Sequence, residues 1–346
     1  MIRLLALCST ATLLSGCVAA AIPLAATGTL AGKSVLDSGS EESSAPAAPP
    51  EAAAAPVRVA ERPPASASPA PKPAAPSAPP ASAAPLEPAS AMRYLYGSGE
   101  AAATGVQAYN ALGEWLASRA QDKIAGRPAI STVLAKGATL DRPGFVPCDG
   151  KPLAVVFDID ETVLLNVGFE GHAARTGAAY DEARWQRWEQ TGANQVSAVP
   201  GAREAIEAAR RAGIAVVFNS NRSAANAAAT AAALEGAGLG SAVPGDTLWL
   251  REDGAEGGKD ERRWRIADKY CVVALVGDQL GDFSDLFNTY SPISARRAVA
   301  VQPMVAPLWG SGWFILPNPV YGSGVAGGFD QVFPADKRWS DPMGDE

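Results

Sequence analysis

Hydrophobic residues follow two spacings along most of the chain after residue 92. Short apolar runs such as residues 155–157 are rich in valine and phenylalanine, which is typical of strands buried on both faces. Between these runs, apolar residues recur every three or four positions, as on one face of a helix. Because parallel strands need crossover helices, this alternation predicts an α/β fold with a mostly parallel sheet flanked by helices. The predicted strands cover residues 155–157, 214–218, 247–250 and 272–276, and the predicted helices cover residues 99–120, 201–213, 224–234 and 259–270.

One segment interrupts this alternation directly after the first predicted strand. Residues 164–200 contain Tyr180, Trp185 and Trp188 but are too polar to form strands of the core. We therefore expect a small helical cap, inserted at about residues 164–200. Its three aromatic residues have two alternative roles, because they either stack on an aromatic part of a ligand or fasten the cap to the core.

Polar side chains follow three of the predicted strands. Asp158 and Asp160 come after the first strand, Ser220 after the second, and Asp278 and Asp282 after the fourth. Taken singly, such residues are often only helix caps. In open parallel sheets, however, ligands bind at the carboxyl ends of the strands, where these side chains would meet. The convergence favours a metal-assisted phosphoryl-transfer site over a set of unrelated caps.

The first residues have the composition of a bacterial export signal. Arg3 precedes an apolar stretch at residues 4–14 that is too short to span a bilayer. The sequence Leu14-Ser15-Gly16-Cys17 is similar to the lipobox of bacterial lipoproteins, in which the cysteine is acylated and becomes the mature N-terminus. We expect a signal peptide at residues 1–16 and a lipid, including palmitate, on Cys17. The alternative is an ordinary cleaved signal with an incidental cysteine.

The residue after the lipidation site and the segment that follows predict where the folded part lies. Val18 favours sorting to the outer membrane, so we expect a protein anchored to the cell envelope with its folded domain periplasmic or surface-exposed. Residues 37–91 consist largely of alanine, proline, serine and glutamate, a composition that cannot bury a core, and we expect a disordered tether at residues 17–91. Residues 92–346 are enough for one domain.

Charge and histidine content exclude several classes of function. The net charge is −7 and no cluster of basic residues is present, so we expect no nucleic-acid polymer as a partner. His172 is the single histidine, which excludes phosphohistidine phosphatases and zinc sites with several histidines. A Ser-His-Asp triad would need His172, but no Gly-x-Ser-x-Gly motif accompanies it. We interpret His172 as a surface residue.

The polar residues at the strand ends form ordered motifs. Asp158-x-Asp160-x-Thr162, a serine after the second strand, a lysine on a later helix and Gly277-Asp278-x-x-x-Asp282 resemble, in this order, the haloacid dehalogenase superfamily. Further motifs resemble the bacterial class C acid phosphatases, the lipoprotein e 5'-nucleotidase family. These are Phe157-Asp158-Ile159-Asp160-Glu161-Thr162, Pro200-Gly201-Ala202, Asn221-Arg222, Lys259 followed by Arg262-Arg263, Val276-Gly277-Asp278 with Asp282-Phe283, and the sequence from Leu316 to Gly322.

This resemblance implies a HAD-like (Rossmannoid) sheet and the hydrolysis of phosphate monoesters. It implies that Asp158 is the nucleophile that accepts the phosphoryl group and that Asp160 is the general acid and base. Ser220 would donate a hydrogen bond to a phosphoryl oxygen, and Lys259 would neutralise its charge. The chain departs from the family at Ser220, which replaces a threonine, and at Leu165, where the family repeats an aspartate before Asn166.

The resemblance also implies a cofactor, Mg²⁺. Its expected ligands are the Asp158 carboxylate, the Asp160 backbone carbonyl and the Asp278 carboxylate, with water completing an octahedron. Asp282 is expected to lie behind these ligands and to pair with Lys259. This oxygen-rich set suits a small hard cation.

The substrate is less closely defined by the sequence. The resemblance favours nucleoside 5'-monophosphates, including nicotinamide mononucleotide, or a broad range of phosphate monoesters. Candidate substrate contacts are Asn221, Arg222, Tyr180, Trp185 and Trp188. Two alternatives remain, a non-catalytic surface lipoprotein that binds haem or a partner, and a phosphotransferase with the same aspartyl intermediate.

Two of the four cysteines belong to the expected folded domain. Cys8 lies in the signal peptide and Cys17 is the lipid site, which leaves Cys148 and Cys271. The resemblance places the strands that follow these two residues side by side. We therefore expect a disulfide at the end of the sheet opposite the active site, since an exported protein can oxidise such a pair.

Overall fold

A computed structural model of the protein describes residues 87–344. The predicted signal peptide, Cys17 and all of the predicted tether except its last five residues lie outside this range. Helix α1 (Ser90–Gly97) begins two residues before the expected start of the domain. Within residues 87–344, every helix is too short or too polar to cross a membrane.

Helices and strands alternate over the described residues, as the hydrophobic pattern predicts. Each predicted strand and helix is present, with ends shifted by a few residues. The further helices are α2 (Gly99–Ile124), α3 (Val167–Thr176), α4 (Glu182–Thr191), α5 (Ala202–Arg211), α6 (Ala227–Gly236), α7 (Asp260–Lys269), α8 (Ile293–Ala300) and α9 (Phe329–Val332). The strands are β1 (Leu153–Phe157), β2 (Leu164–Leu165), β3 (Ser197–Ala198), β4 (Ala215–Ser223), β5 (Leu248–Arg251), β6 (Cys271–Gly277) and β7 (Trp313–Ile315).

Five strands form a parallel sheet with the order β5-β4-β1-β6-β7. β1 lies at its centre, where every residue is buried. Val155 and Phe157 face a layer that contains α2 and α5, whereas Ala154 and Val156 face a layer that contains α7. The sheet is therefore covered on both sides, which explains the continuous apolar runs in its strands.

The cap lies between β1 and α5. It consists of α3 and α4 together with the short antiparallel pair β2–β3, in which Leu164 is paired with Ala198. Asp181 begins α4 as its N-cap, because its side chain accepts a hydrogen bond from the Arg184 amide at 2.7 Å. The helical cap expected at about residues 164–200 is thus present.

Two features of the sheet differ from the sequence prediction. β4 continues to Ser223, five residues past the predicted end, because the polar residue Asn219 still pairs with Trp249 of β5. β7 is absent from the prediction, and it consists of three residues whose position is fixed by pairing of Trp313 with Leu275 of β6. Both features depend on partners distant in sequence, and local composition does not reveal them.

The expected disulfide is present between Cys148 and Cys271, whose Cα atoms are 4.6 Å apart. Cys271 is the first residue of β6, and Cys148 lies in the segment that leads into β1. The bond therefore joins two adjacent central strands at the end of the sheet where their chains enter.

Candidate active site

Three buried aspartates meet at the carboxyl ends of β1 and β6. One carboxylate oxygen from each of Asp158, Asp278 and Asp282 lies within 4.8 Å of the other two. The backbone continues the sheet pairing up to this point, because the Asp158 amide donates to the Val276 carbonyl at 2.9 Å. The parallel sheet thus holds two of the three acids at the ends of neighbouring strands.

Burial and neighbouring acids disfavour the ionisation of Asp158 and Asp278. Burial raises the pKa of Asp158 well above its usual value, and Asp282 and Asp278 raise it further, while Lys259 acts in the opposite direction. Burial and the neighbouring Asp282 raise the pKa of Asp278 to about 6. A cation placed among these carboxylates would therefore be strongly stabilised.

The Lys259 side chain lies between two of these acids. Its ammonium group is 2.7 Å from Asp282 Oδ1 and forms a second ion pair with Asp158 Oδ1. Burial alone would lower the pKa of Lys259, but the two carboxylates outweigh burial and raise it. Lys259 is therefore a fixed positive charge, and its expected pairing with Asp282 is present.

A second charged cluster fixes the backbone around Lys259 and Asp282. The Asp285 carboxylate accepts hydrogen bonds from the Lys259 amide at 2.9 Å and from the Asp260 amide at 2.7 Å. Arg263 is fully buried and donates to the Asp282 carbonyl and to the Asp260 carboxylate, each at 3.0 Å. Sequence reasoning assigned no role to Asp285, which lies just beyond the recognised motif.

Three neutral donors hold the Asp278 carboxylate. Thr162 Oγ1 donates to one oxygen at 3.0 Å, and Gln279 Nε2 and Asn318 Nδ2 donate to the other at 3.1 and 2.8 Å. Sequence reasoning missed the contact from Asn318. The available signal was the distinctive stretch 316–322, which resembles the family outside the catalytic motifs.

The oxygen donors at this site fit a small divalent cation. Carboxylate oxygens of Asp158 and Asp278 are close together and carry mutually repelling charge. The Asp160 carbonyl accepts no hydrogen bond from any group within residues 87–344, so this oxygen is also able to bind a cation. Such an all-oxygen set is the kind that Mg²⁺ prefers.

Asp160 has different neighbours from Asp158. Its carboxylate forms an ion pair with Arg222, whose Nη2 and Nε lie 2.7 and 2.9 Å from Oδ1. Asn166 Nδ2 donates to the same oxygen at 2.9 Å. Arg222 was expected to contact substrate, but it is 2% exposed and its hydrogen bonds are directed at Asp160 and Asn166.

The two other predicted site residues of β4 have contrasting positions. Ser220 is fully buried, and its Oγ accepts a hydrogen bond from the Arg222 amide at 3.1 Å. It lies two residues past Phe218, which pairs with Phe157, so it reaches the level of the acids that follow β1. Asn221 is exposed and binds the Gly257 carbonyl at 2.7 Å.

The cap aromatics do not form one group. Trp188 is 9% exposed, and a Cβ added at Gly192 or Gly168 would collide with its ring. Trp188 therefore packs inside the cap and holds α4 against the start of α3. Trp185 packs edge-on against Phe169, with ring centroids 5.0 Å apart. Tyr180 is 66% exposed and donates to Glu182 at 2.6 Å, and His172 on α3 is exposed as expected.

Sequence reasoning also missed Glu161, a buried acid beside the cluster. Its carboxylate accepts hydrogen bonds from the hydroxyls of Tyr96 and Tyr321 and from the Asn166 amide. Burial raises the pKa of Glu161 well above its usual value. The only signal was an acid placed between Asp160 and the apolar residues of β2.

The departure at position 165 leaves the site acids in place. Leu165 is 9% exposed and packs in the main apolar core, with Leu95 and Val199 as members of the same cluster. An aspartate there would place a charge among apolar side chains unless it found a partner. The leucine therefore adds to the anchoring of the cap by apolar contact.

Comparison with known proteins gives a consistent result. A family model described as HAD superfamily, subfamily IIIB (acid phosphatase), matches residues 101–324. A class C acid phosphatase from Bacillus anthracis is 26% identical, with a TM-score of 0.53 over 68% of this chain and 84% of that chain. A structure of the class C acid phosphatase from Bacillus anthracis with tungstate bound is 25% identical, with a TM-score of 0.52 over 73% of this chain and 91% of that chain.

Proposed function

The chain belongs to the acid phosphatases of HAD subfamily IIIB and is a phosphomonoester hydrolase of the class C type, and from this premise we propose that it works through an aspartyl-phosphate on Asp158 and depends on Mg²⁺. The observation that carries the proposal is the division between its two motif acids. Asp158 lies among acids and beside Lys259, whereas Asp160 is paired with Arg222. Different surroundings support different roles for the two carboxylates.

The first step transfers the phosphoryl group to the protein. An Asp158 carboxylate oxygen attacks phosphorus in line, and the bond between phosphorus and the ester oxygen breaks. The departing oxygen keeps the electron pair and takes a proton from the carboxyl group of Asp160. Lys259 and the hydroxyl of Ser220 stabilise charge on the phosphoryl oxygens.

The second step releases phosphate. The Asp160 carboxylate takes a proton from a water molecule as the water oxygen attacks phosphorus. The bond between phosphorus and the Asp158 oxygen breaks, which regenerates the Asp158 carboxylate. Arg222 supports this step because its guanidinium group holds the Asp160 carboxylate in place.

Three groups of this chain would hold the cation, namely the carboxylates of Asp158 and Asp278 and the carbonyl of Asp160. When bound, it supplies positive charge that offsets repulsion between the attacking carboxylate and the phosphoryl oxygens. Asp282 is better suited to orienting its neighbours. Its Oδ2 accepts from the amides of Asp278 and Gln279 at 3.1 and 2.8 Å, and its Oδ1 pairs with Lys259.

For the substrate we infer nucleoside 5'-monophosphates, including nicotinamide mononucleotide. The class C resemblance supports this inference, as does the exposed edge of the cap, where Tyr180 offers an aromatic surface. Binding of tungstate, a phosphate-like oxyanion, by the Bacillus anthracis relative supports an oxyanion site in the family.

We also infer attachment of Cys17 to the outer membrane, which palmitate labelling of wild-type protein and of Cys17→Ser would test.

Substrate and cation dependence are tested together by steady-state kinetics. We expect kcat/KM to be higher for AMP and nicotinamide mononucleotide than for p-nitrophenyl phosphate. Activity on all three should vanish with a chelator and return with Mg²⁺. A preference for p-nitrophenyl phosphate would contradict the nucleotidase inference, and full activity in the chelator would contradict the metal requirement.

A further inference from the structure

The Asn166 side chain connects the cap with the Asp160 carboxylate. Its Nδ2 donates to Asp160 Oδ1 at 2.9 Å, and its Oδ1 accepts from Trp188 Nε1 at 2.9 Å and from Arg222 Nη2 at 3.0 Å. Asn166 is 1% exposed. Because Trp188 and Arg222 offer only donors, they require the amide oxygen on their side and direct the NH₂ group toward Asp160, with longer contacts of 3.2 Å to both Glu161 carboxylate oxygens.

We propose that Asn166 is a positioning residue through which the cap tryptophan Trp188 sets the orientation of the Asp160 carboxylate for proton transfer to the leaving group. This inference rests on the proposed function, because it takes Asp160 to be the general acid. It adds two residues, Asn166 and Trp188, to the groups on which that acid depends.

The hydrogen bonds on Asp160 are distributed unequally between its two oxygens. Oδ1 receives three donors, Arg222 Nε, Arg222 Nη2 and Asn166 Nδ2, at 2.7 to 2.9 Å. Within residues 87–344, Oδ2 has a single longer contact, 3.2 Å from Arg222 Nε. Fixing Oδ1 in this way leaves Oδ2 as the oxygen that exchanges a proton with substrate and water.

The cap helix that carries Trp188 is itself held firmly. The indole ring packs closely against the backbones of Gly168 and Gly192, where a single added Cβ would collide with it. The next residue, Glu189, is buried and accepts hydrogen bonds from the Ser223 amide at 3.1 Å and from Asn226 Nδ2 at 2.7 Å. Trp188 therefore presents its N–H at a fixed place.

A general acid contributes more when the leaving oxygen is more basic. Loss of its orientation should therefore slow phenyl phosphate more than p-nitrophenyl phosphate, because nitrophenolate leaves readily without a proton. The two substrates have similar rings, so a change in the fit of the cap would affect both alike. The ratio of their kcat/KM values, which report only the transfer of the phosphoryl group to Asp158, thus separates a positioning role from a merely structural role.

Two variants break the connection from opposite sides. Trp188→Phe keeps an aromatic ring but removes the N–H that orients Asn166, and Asn166→Asp keeps the shape but replaces the NH₂ donor by oxygen. Trp115→Phe is the matched control, because it removes an N–H that donates to the Val273 carbonyl at 2.8 Å, away from Asp160 and the cap. Activities are expressed per folded molecule, with folding measured by circular dichroism.

We expect each of the two variants to lower kcat/KM for phenyl phosphate by about tenfold or more, which is part of the 10²- to 10⁴-fold typical of general acids. The kcat/KM for p-nitrophenyl phosphate should fall by less than about threefold. Trp115→Phe should leave the ratio of the two kcat/KM values at its wild-type value. If Asn166→Asp does not fold, Trp188→Phe decides alone.

The variant Asp160→Asn, measured under the same conditions, distinguishes a failure of the positioning role from a failure of the proposed function. If Asp160→Asn shows the leaving-group dependence but Trp188→Phe slows both substrates equally, the positioning role is overturned and the proposed function stands. If Asp160→Asn also slows both substrates equally, Asp160 is not the acid, and both proposals fall.

Discussion

The carboxyl and amino ends of strands β1 and β6 have very different surroundings. At the carboxyl ends, Asp158 and Asp278 are buried beside Asp282, and burial together with neighbouring acids raises the pKa of both. At the other end, Cys148 and Cys271 join the strands covalently. One end concentrates repelling charge and the other holds the strands together.

The residues that are proposed to react and the residues that stabilise the fold therefore lie at opposite ends of the same strands. Burial of ionisable acids makes folding less favourable, and the proposed function gives these acids the roles of holding a cation and attacking phosphorus. A disulfide restricts the unfolded chain and so favours the folded state. Changes at the carboxyl end should therefore alter turnover, whereas changes at the amino end should alter stability.

The largest expected effect is at the carboxyl end. Asp158→Asn removes the attacking oxygen and should lower kcat by at least about 1,000-fold, as is typical for loss of a nucleophile. The melting temperature should not fall, because one of the repelling charges is removed. Phosphate release and thermal unfolding measure the two quantities, with Asp268→Asn, an exposed change on α7, as the control. Activity above a few per cent of wild type would contradict the assignment.

The second largest effect is expected at the amino ends of the strands, where removal of the disulfide should lower stability. Cys148→Ser combined with Cys271→Ser opens a loop between residues 123 positions apart, and we expect the free energy of unfolding to fall by about 4 kcal/mol. The kcat of the remaining folded molecules should stay within about twofold of wild type, because the site acids do not contact the disulfide. Urea unfolding and kinetics at low temperature test this. A large loss of kcat with little loss of stability would remove the distinction between the two ends.

A smaller effect is expected where backbone positioning supports the site. Asp285→Ala removes the acceptor for the amides of Lys259 and Asp260, so the Lys259 ammonium should lose its fixed place between its carboxylates. We expect kcat to fall by about tenfold, or about 1.4 kcal/mol in the barrier. Asp285→Asn keeps an oxygen acceptor and should recover part of the loss. Equal kcat values for Asp285→Ala and wild type would show that Lys259 is positioned without Asp285.

The smallest effect concerns pH in the presence of a chelator. The pKa of Asp278 is about 6 in the folded protein against 3.8 for a free side chain, so its contribution to stability is full below 3.8 and is lost as pH rises through 6. Wild type should therefore lose stability relative to Asp278→Asn between pH about 4 and 6. Added Mg²⁺ should reverse this trend for wild type. If the melting temperatures of the two proteins change equally with pH over this range, the raised pKa of Asp278 does not cause the loss of stability.

The sequence predicted the centre of the fold and the principal acids better than their surroundings. β1 and β6 have continuous apolar composition because they are buried on both faces, and Asp158 and Asp160 stand out at the end of such a run. The match to the family model and the match to a solved structure confirm the predicted HAD-like fold. β7 has only three residues, and its existence depends on pairing with β6 across the sheet.

Contacts between distant segments explain the site residues that sequence reasoning missed. Asn318 reaches Asp278 from 40 positions away, and Asp285 caps the start of α7 from 25 or more. Nothing local distinguishes Asp285 from other polar positions in loops, and the only signal for Asn318 was the family resemblance of residues 316–322. Trp188 shows a related limit, because helical spacing fits both stacking on a substrate and packing in the cap. Only its closeness to Gly168 and Gly192 decides between these roles.

The stereochemistry of transfer at phosphorus tests the central claim most directly. A substrate whose transferred phosphoryl or thiophosphoryl group is made chiral with oxygen isotopes is hydrolysed in isotopically labelled water, and the configuration of the product is determined. Two successive in-line displacements, first by Asp158 and then by water, invert the configuration twice. We predict overall retention. Inversion would show that water attacks the substrate directly, and it would contradict an aspartyl-phosphate on Asp158.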